Sequence, residues 1–175
     1  QWLPVLDGVV AQLQAGIAVA DVGCGHGHST LLMAKAFPHS RFFGFDPHAP
    51  SIDAAQRNAK EQGLEHRVHF EVARAMDYRN EGYGLICFFD ALHDLGDPVG
   101  AVHHAASTLA PGGTVMLVEP FAQDRVENNL TMAGQLYYGG STLICCARAI
   151  SEGGKLVLGA QAGPRRLAEV CRKGG

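Results

Sequence analysis

The chain has 175 residues, of which 47% are hydrophobic and 18% charged, and its formal net charge at pH 7 is −3. This length and composition are typical of a single globular domain with a sizeable core. The weak negative charge gives no support for a nucleic-acid partner or an anionic membrane surface, and no apolar run reaches membrane-spanning length.

Helical and strand patterns alternate from one end of the chain to the other, as expected for a parallel sheet covered by helices on both faces. Apolar residues recur at helical spacing from Leu6 to Leu13, and Gly16 ends that helix. Pro38 stops the next helix, because proline cannot continue one. The predicted elements are a helix up to residue 16, a strand at 17–22, a helix at 28–37, a strand at 41–46, a helix at 51–62 and a strand at 68–72.

The second half begins with a continuous apolar run at 85–89, which predicts a central strand buried on both faces. Asp97 and Pro98 predict the start of a helix, and the Pro-Gly-Gly run at 111–113 predicts a turn into a fifth strand at 114–119. Residues 120–162 are too apolar for a solvated linker. They predict either a helical insertion that partly covers a pocket or a helix pair that closes the core, and a last helix follows at 164–172.

Together these elements predict an α/β fold of the Rossmann-like type, with three layers (αβα), a mostly parallel sheet and residues 1–175 as one domain. The five cysteines are an odd number without metal-ligand spacing. They predict reduced thiols, a cytoplasmic location and no metal site.

The turn after the first strand carries Gly23, Gly25 and Gly27, preceded by Asp21. Such a turn lets the backbone approach a bound nucleoside, and the next helix N-terminus adds free N–H groups. A dinucleotide site has the pattern Gly-x-Gly-x-x-Gly, but its third glycine position is His28 here. A carboxylate at Asp21 suits a ligand that has an ammonium group and no phosphates, so the turn favours an aminoacyl nucleoside over a nicotinamide dinucleotide.

Asp46 ends the second predicted strand, where a carboxylate accepts hydrogen bonds from ribose hydroxyls in nucleotide-binding sheets. It supports a ribose-containing ligand of either type. Two structural alternatives stand beside these roles: Asp21 as a turn-capping residue, and Asp46 as the cap of the helix after Pro47.

Four motifs occur in order along the chain: Asp-Val-Gly-Cys-Gly-His-Gly at 21–27, Gly-Phe-Asp-Pro at 44–47, Phe-Phe-Asp-Ala-Leu-His-Asp at 88–94, and Leu-Ala-Pro-Gly-Gly-Thr at 109–114. In this order and spacing they resemble the class I S-adenosylmethionine-dependent methyltransferases, over nearly the whole chain. The resemblance implies methyl transfer as the activity and S-adenosylmethionine as the cofactor.

The resemblance also implies which residues bind the cofactor. The glycine turn would contact its methionine end, Asp46 its ribose, and the loop at 73–77 its adenine. Many relatives have an aspartate where Arg74 stands, so either Asp77 bonds the adenine amino group or Arg74 stacks on the ring. The implied cofactor-binding residues are Asp21, Gly23, Cys24, Gly25, Asp46, Pro47, Ala75, Met76, Asp77, Phe89 and Asp90.

His93 follows the fourth strand, at the edge where ligands of such sheets bind. Imidazole suits the removal of a proton from an acidic hydroxyl. The segment at 92–97 resembles that of small-molecule O-methyltransferases whose histidine is the general base, oriented by an acidic residue at the position of Glu119. The resemblance therefore implies His93 and Glu119 as catalytic residues. The alternative is that His93 only bonds the backbone and shapes a pocket.

The run Gly-Gly-Thr-Val-Met-Leu-Val-Glu-Pro-Phe at 112–121 resembles a group of largely uncharacterised bacterial small-molecule methyltransferases. Those proteins usually carry an N-terminal winged-helix-like domain that mediates dimerisation, and they end in a strand pair after the last helix. Neither is found in this chain. We therefore expect the catalytic core of a longer protein, which would form a homodimer through the missing N-terminal domain.

The leading hypothesis is O-methylation of a small-molecule acceptor, with no nucleic-acid or membrane partner. A second hypothesis is an S-adenosylmethionine-binding module without turnover, with a regulatory or assembly role. A third, a nicotinamide-dependent oxidoreductase, is disfavoured by His28 and by the charge of Asp21.

Overall fold

The computed structural model describes residues 2–175, and in this range the strands form one five-stranded sheet. Its strands are β1 (Ala18–Val22), β2 (Arg41–Asp46), β3 (Val68–Val72), β4 (Tyr83–Phe89) and β5 (Leu109–Val118). Their order is β3-β2-β1-β4-β5, and β1 pairs in parallel with both β2 and β4, as β2 does with β3. This is the predicted Rossmann-like αβα arrangement with a mostly parallel sheet.

Helices connect and follow the strands, mostly close to the predicted bounds. They are α1 (Val9–Ala15), α2 (His28–Ala36), α3 (Ala49–Glu61), α4 (Pro98–Thr108), α5 (Met132–Gly140), α6 (Cys146–Ser151) and α7 (Pro164–Gly174). A π-helical turn, Ser141–Cys145, joins α5 to α6. Among residues 2–175, no helix is long and apolar enough to cross a bilayer.

The chain separates into two compact units. The first unit contains the residues up to Phe89 together with Ser107–Met116, and the second contains Asp90–Ala106 and Leu117–Gly175. The single domain over 1–175 stays a prediction. Residues 120–162 contain α5, the π-helical turn and α6, and their role as an insertion over a pocket or as a helix pair closing the core also stays a prediction.

The start of the fifth strand is a correction to the sequence analysis. The Pro-Gly-Gly run was expected to form a turn before a strand at 114–119, but β5 already begins at Leu109 and includes that run. Gly112 has a φ of 75° inside the strand. Because glycine adopts a left-handed conformation without steric cost, the strand can pass through this position instead of ending there.

The packing of Phe70 in β3 explains why positions 27 and 44 of the first unit are glycines. A Cβ on Gly27 would lie 2.4 Å from the ring of Phe70, and a Cβ on Gly44 would lie 2.4 Å from another atom of the same ring. The missing side chains let Phe70 fill the space between β2 and the glycine turn. Phe70 therefore helps to hold the turn against the sheet.

Gly44→Ala is expected to lower the free energy of unfolding by about 1–3 kcal/mol, because the added methyl overpacks the Phe70 ring and the Cys24 sulfur. Gly139→Ala is the matched control, since its Cβ meets no atom within 4 Å in α5. The control should be stabilised by about 0.5–1 kcal/mol, as alanine is the better helix former. Denaturant unfolding of both variants measures the difference, and equal stability of the two would contradict this account of Gly44.

Candidate functional site

The carboxyl ends of β1, β2 and β3 lie side by side in the first unit, because these strands run parallel. Gly23 and Cys24 donate backbone hydrogen bonds to the carbonyl oxygen of Phe45, at 2.8 and 3.1 Å. Ala73 donates to the carbonyl oxygen of Asp46 at 3.2 Å. These bonds bring the glycine turn, the end of β2 and the loop after β3 to one edge, which is where parallel sheets bind ligands.

Asp21 lies near the end of β1 and is 1% exposed. Its Oδ2 accepts hydrogen bonds from the hydroxyls of Ser29 and Thr30, both at 2.6 Å, so Asp21 does hold the first turn of α2. Its Oδ1 is buried and accepts no hydrogen bond from any residue in 2–175. Leaving a buried carboxylate oxygen without a partner is unfavourable. This atom is therefore suited to a cationic donor on a bound ligand.

Burial is also the main cause of the shifted pKa values of Asp21 and Cys24. It raises the pKa of Asp21, and the hydroxyls of Ser29 and Thr30 oppose that rise only in part. Burial and the nearby carboxylates of Asp21 and Asp46 raise the pKa of the Cys24 thiol well above its usual range. Cys24 is therefore a neutral thiol with little nucleophilic character.

Gly25 and Gly27 have φ angles of 53° and 77°, but they are glycines for different reasons. Gly27 is required by packing, as its contact with Phe70 shows. A Cβ on Gly25 would meet no atom of residues 2–175 within 4 Å, so this part of the chain does not use that space. Gly25 thus leaves the turn open for the backbone to approach a ligand.

Asp46 connects the glycine turn to the end of β2. Its Oδ2 accepts a hydrogen bond from the Gly25 N–H at 3.1 Å, and its Oδ1 accepts one from the His48 N–H at 2.9 Å. The second bond holds the residue that directly precedes α3, but it is not a helix cap, because no side chain caps the N-terminus of α3. Each carboxylate oxygen has two acceptor positions. Asp46 therefore retains acceptor capacity for ribose hydroxyls, beside an exposed Pro47.

The loop predicted to flank the adenine forms a turn. Asp77 Oδ1 accepts from the Arg74 N–H at 2.8 Å, and the Asp77 N–H donates to the Arg74 carbonyl at 3.2 Å. Ala75 is half-buried, and Met76 is 42% exposed. One oxygen of Asp77 therefore holds its own turn, and its contact with an adenine amino group stays a prediction.

Phe89 and Asp90 fall on either side of the boundary between the units. In the first unit, the ring centroid of Phe89 lies 6.0 Å from that of Trp2. In the second unit, Asp90 has a φ of 54° and is the one non-glycine residue of 2–175 with a positive φ. Its N–H donates to the Val118 carbonyl at 2.7 Å, which holds this conformation. Such strained residues cluster at functional sites.

His93 and Glu119 form a hydrogen-bonded pair in the second unit, and each side chain is 5% exposed. The bond joins His93 Nδ1 to Glu119 Oε2. Glu119 Oε1 accepts from the backbone N–H groups of Leu92 and Ala91, at 2.9 and 3.3 Å. The loop that carries His93 thus fixes Glu119, and Glu119 fixes the imidazole ring. The structure brings together the two residues that the sequence analysis named as catalytic.

Asp94 lies on the other side of the same ring, with its Oδ1 3.1 Å from His93 Nε2. Burial alone would lower the pKa of His93, but the carboxylates of Asp94 and Glu119 outweigh it and raise that pKa to about 11. The charge of His93 in turn lowers the pKa of Asp94, against the effect of burial. His93 therefore carries its proton at neutral pH when no ligand is bound.

Three residues around these sites were missed by sequence reasoning. Ser29 and Thr30 hold Asp21, and hydroxyl residues in the first turn after a glycine loop were a readable signal. Cys145 lies beside His93 and Asp94 and has no local signal, because it comes from the distant π-helical turn.

Comparison with known protein families identifies one family. A family model described as "Methyltransferase domain" matches residues 13–167. The 27-O-demethylrifamycin SV methyltransferase of Amycolatopsis mediterranei (strain S699) is 30% identical over 107 residues, which are 60% of this chain and 39% of that protein.

Solved structures share the fold. The O-methyltransferase NcsB1 from neocarzinostatin biosynthesis, in complex with S-adenosyl-L-homocysteine and 1,4-dihydroxy-2-naphthoic acid, has a TM-score of 0.67 at 24% identity, over 90% of this chain and 43% of that chain. The (4+2) cyclase SpnF has a TM-score of 0.69 at 23% identity, over 91% of this chain and 52% of that chain. The chain thus spans about half or less of the length of these relatives.

Proposed function

Since the chain belongs to the methyltransferase domain family, we propose that it is the cofactor-binding core of an enzyme that methylates a hydroxyl group of a small molecule. The observation that best supports a hydroxyl group as the methyl acceptor is the buried His93–Glu119 pair. A histidine fixed by a carboxylate is suited to take a proton from such a group. The presence of O-methyltransferases among the structural relatives supports the same acceptor.

Family membership implies S-adenosylmethionine as the cofactor. When bound, this cofactor would supply a methyl group already activated on a sulfonium. The first unit has the groups that this molecule needs. Asp21 Oδ1 is a buried acceptor without a partner, which suits the ammonium of the methionine end. Gly25 leaves open space in the glycine turn, and Asp46 keeps acceptor positions for the ribose.

The work left to the protein is alignment, exclusion of water and proton removal. Glu119 holds the Nδ1 side of His93, so the proton of the acceptor hydroxyl is taken at Nε2. Once His93 has released its own proton from Nε2, a base with a pKa of about 11 takes a proton from a phenol, whose ordinary pKa is about 10, without a further energetic penalty. The pKa of His93 thus favours acidic hydroxyls such as phenols over aliphatic alcohols.

A second candidate function is S-adenosylmethionine binding without turnover. One observation favours it: His93 lies between two carboxylates and holds its proton at neutral pH, which is unfavourable for a base. The cyclase among the structural relatives also illustrates that one fold hosts different reactions. Turnover with any acceptor excludes this candidate.

Cofactor binding is tested by titration calorimetry with S-adenosylmethionine, S-adenosylhomocysteine and NAD. We expect micromolar binding of the first two and none of NAD, and Gly25→Ala should weaken binding at least about tenfold because its methyl enters the cofactor space. Gly63→Ala is the matched control, with a φ of 65° and no atom within 4 Å of its Cβ. Tight NAD binding, or equal affinity in the two variants, would contradict the proposal.

The acceptor is sought with a panel of phenols, carboxylates and amines in a homocysteine-release assay. With an acceptor in hand, His93→Gln is expected to lower kcat about 10²- to 10⁴-fold, the usual contribution of a general base. Glutamine keeps a donor for Glu119, so the fold should survive, which circular dichroism checks. An unchanged kcat would exclude His93 as the base.

A further inference from the structure

Three potential metal ligands of different chemistry meet in the second unit, beside the histidine side that Glu119 leaves free. They are a ring nitrogen of His93, an Asp94 carboxylate oxygen and Cys145 Sγ, and all three atoms lie within 4.8 Å of one another. Asp94 Oδ1 is 3.1 Å from His93 Nε2, yet it accepts no aligned hydrogen bond from any residue in 2–175. A carboxylate oxygen has two acceptor positions, so Asp94 Oδ1 keeps acceptor capacity beside its contact with the His93 ring.

We propose that His93 Nε2, Asp94 Oδ1 and Cys145 Sγ bind a divalent cation of the zinc type, with a solvent molecule in the fourth position. Zinc takes imidazole, carboxylate and thiolate ligands in a tetrahedral arrangement. At the usual bond lengths, the ligand atoms of such a site are about 3.3–3.8 Å apart. The distances in this cluster are close enough for side-chain rotations to produce that geometry.

Glu119 contacts the ring nitrogen of His93 that the proposed metal does not use. Histidines that bind metals usually donate their other ring N–H to a carboxylate, which orients the ring and raises its basicity. His93 makes this contact through Nδ1 to Glu119. A second group, formed by Asp90, His93 and Glu119, also clusters here. It would have to use the same Nδ1, which Glu119 already occupies, so we assign the metal to the Nε2 side.

The backbone gives Cys145 an unusual position. It ends the π-helical turn Ser141–Cys145, which interrupts an otherwise α-helical stretch from α5 to α6. Wide turns of this kind occur frequently at functional sites, because they redirect side chains that a regular helix would point elsewhere. Here the turn is followed at once by Cys146, whose sulfur contacts the Ser141 hydroxyl at 3.7 Å instead of the cluster.

The charges around the cluster suit a cation. With its metal bound, the site would contain a neutral His93, a thiolate and the carboxylates of Asp94 and Glu119. The positive charge of Arg148 also acts on Asp94, but its side chain is paired with Glu152 at 3.4 Å. Binding releases one proton from the His93 imidazolium and one from the Cys145 thiol, so metal affinity should rise with pH.

Metal binding would also affect the proposed reaction. The lone pair on His93 Nε2 either binds the metal or accepts the proton of the acceptor hydroxyl, so the two uses exclude each other. This consequence rests on the proposed function, whereas the metal site itself does not. We expect zinc to inhibit turnover and a chelator to restore it.

The test is a titration of the protein with Co²⁺, which replaces zinc in tetrahedral sites and gives a sulfur-to-cobalt charge-transfer absorption. We expect one equivalent to bind with this absorption and to be displaced by Zn²⁺. The absorption should disappear in Cys145→Ser and persist in Cys146→Ser, two matched variants at neighbouring positions. Asp94→Asn should weaken binding at least tenfold.

Absence of the absorption in the unchanged protein, or its persistence in Cys145→Ser, would overturn the proposal. Circular dichroism checks that each variant is folded. If Cys145→Ser fails to fold, X-ray absorption of the zinc-loaded unchanged protein tests the proposal instead. A zinc coordination shell that lacks one sulfur ligand would also overturn the proposal. The titration involves no methyl donor or acceptor, so its failure leaves the proposed function standing.

Discussion

Asp21→Asn is expected to weaken S-adenosylmethionine binding on the order of 100-fold, without lowering the free energy of unfolding. The loss of affinity follows from removing the charged partner of a buried ammonium, which costs about 2–5 kcal/mol. The asparagine oxygen can still accept from Ser29 and Thr30, so the first turn of α2 stays held.

The stability half of this prediction follows from the pKa of Asp21, which burial raises in the folded protein. A group with a raised pKa contributes stability at low pH, and this contribution is lost as the pH rises through the folded-state value. Above this raised pKa, the ionised Asp21 therefore destabilises the unliganded protein, and asparagine removes that effect. Cofactor binding by the unchanged protein should weaken as the pH falls through the same raised pKa.

Calorimetry and thermal unfolding measure the two halves separately. Asp53→Asn is the control, because it removes the same charge from an exposed position of α3 in the same unit. We expect the control to bind like the unchanged protein. If Asp21→Asn bound the cofactor as tightly as the control does, Asp21 would be only a turn-capping residue.

Asp94→Asn is expected to move the pH dependence of kcat/KM to lower pH. In the unchanged protein the base has a pKa of about 11, so activity should rise with pH throughout the neutral and alkaline range. Removing one of the two flanking carboxylates should lower the pKa of His93 by about 1–3 pH units. At pH 8 the kcat/KM of the variant would then exceed that of the unchanged protein by a factor on the order of ten. A purely structural role of Asp94 would not produce this increase.

The pKa of His93 can be measured without an acceptor, by following the ring proton in nuclear magnetic resonance and assigning it with His93→Gln. Glu127→Gln is the control, because Glu127 is an exposed carboxylate of the same unit that is paired with Arg125. It should leave both the titration and the rate profile unchanged. A rate profile that does not follow the measured pKa of His93 would contradict its role as the base.

Local signals predicted most of the fold. The bounds of β2 were predicted without error, and Asp97 caps α4 with a hydrogen bond from Gly100 N–H at 2.9 Å. These features depend on neighbouring residues, through hydrophobic periodicity and cap chemistry. The failure at the start of β5 has the same origin, since a Pro-Gly-Gly run is a turn signal in isolation and only the surrounding sheet extends it into a strand.

By itself, the sequence determined the Rossmann-like fold, the family and the cofactor, because each rests on motifs whose residues are close together in the chain. Only the tertiary structure decided that one carboxylate oxygen of Asp21 is hydrogen-bonded and the other is not. It likewise decided that His93 lies between Glu119 and Asp94, and that Cys145 lies near this group. The reason is that burial and charge depend on residues far apart in the chain. No spacing rule links Cys145 to His93, since the contact exists only after the π-helical turn has packed against the loop at 92–94.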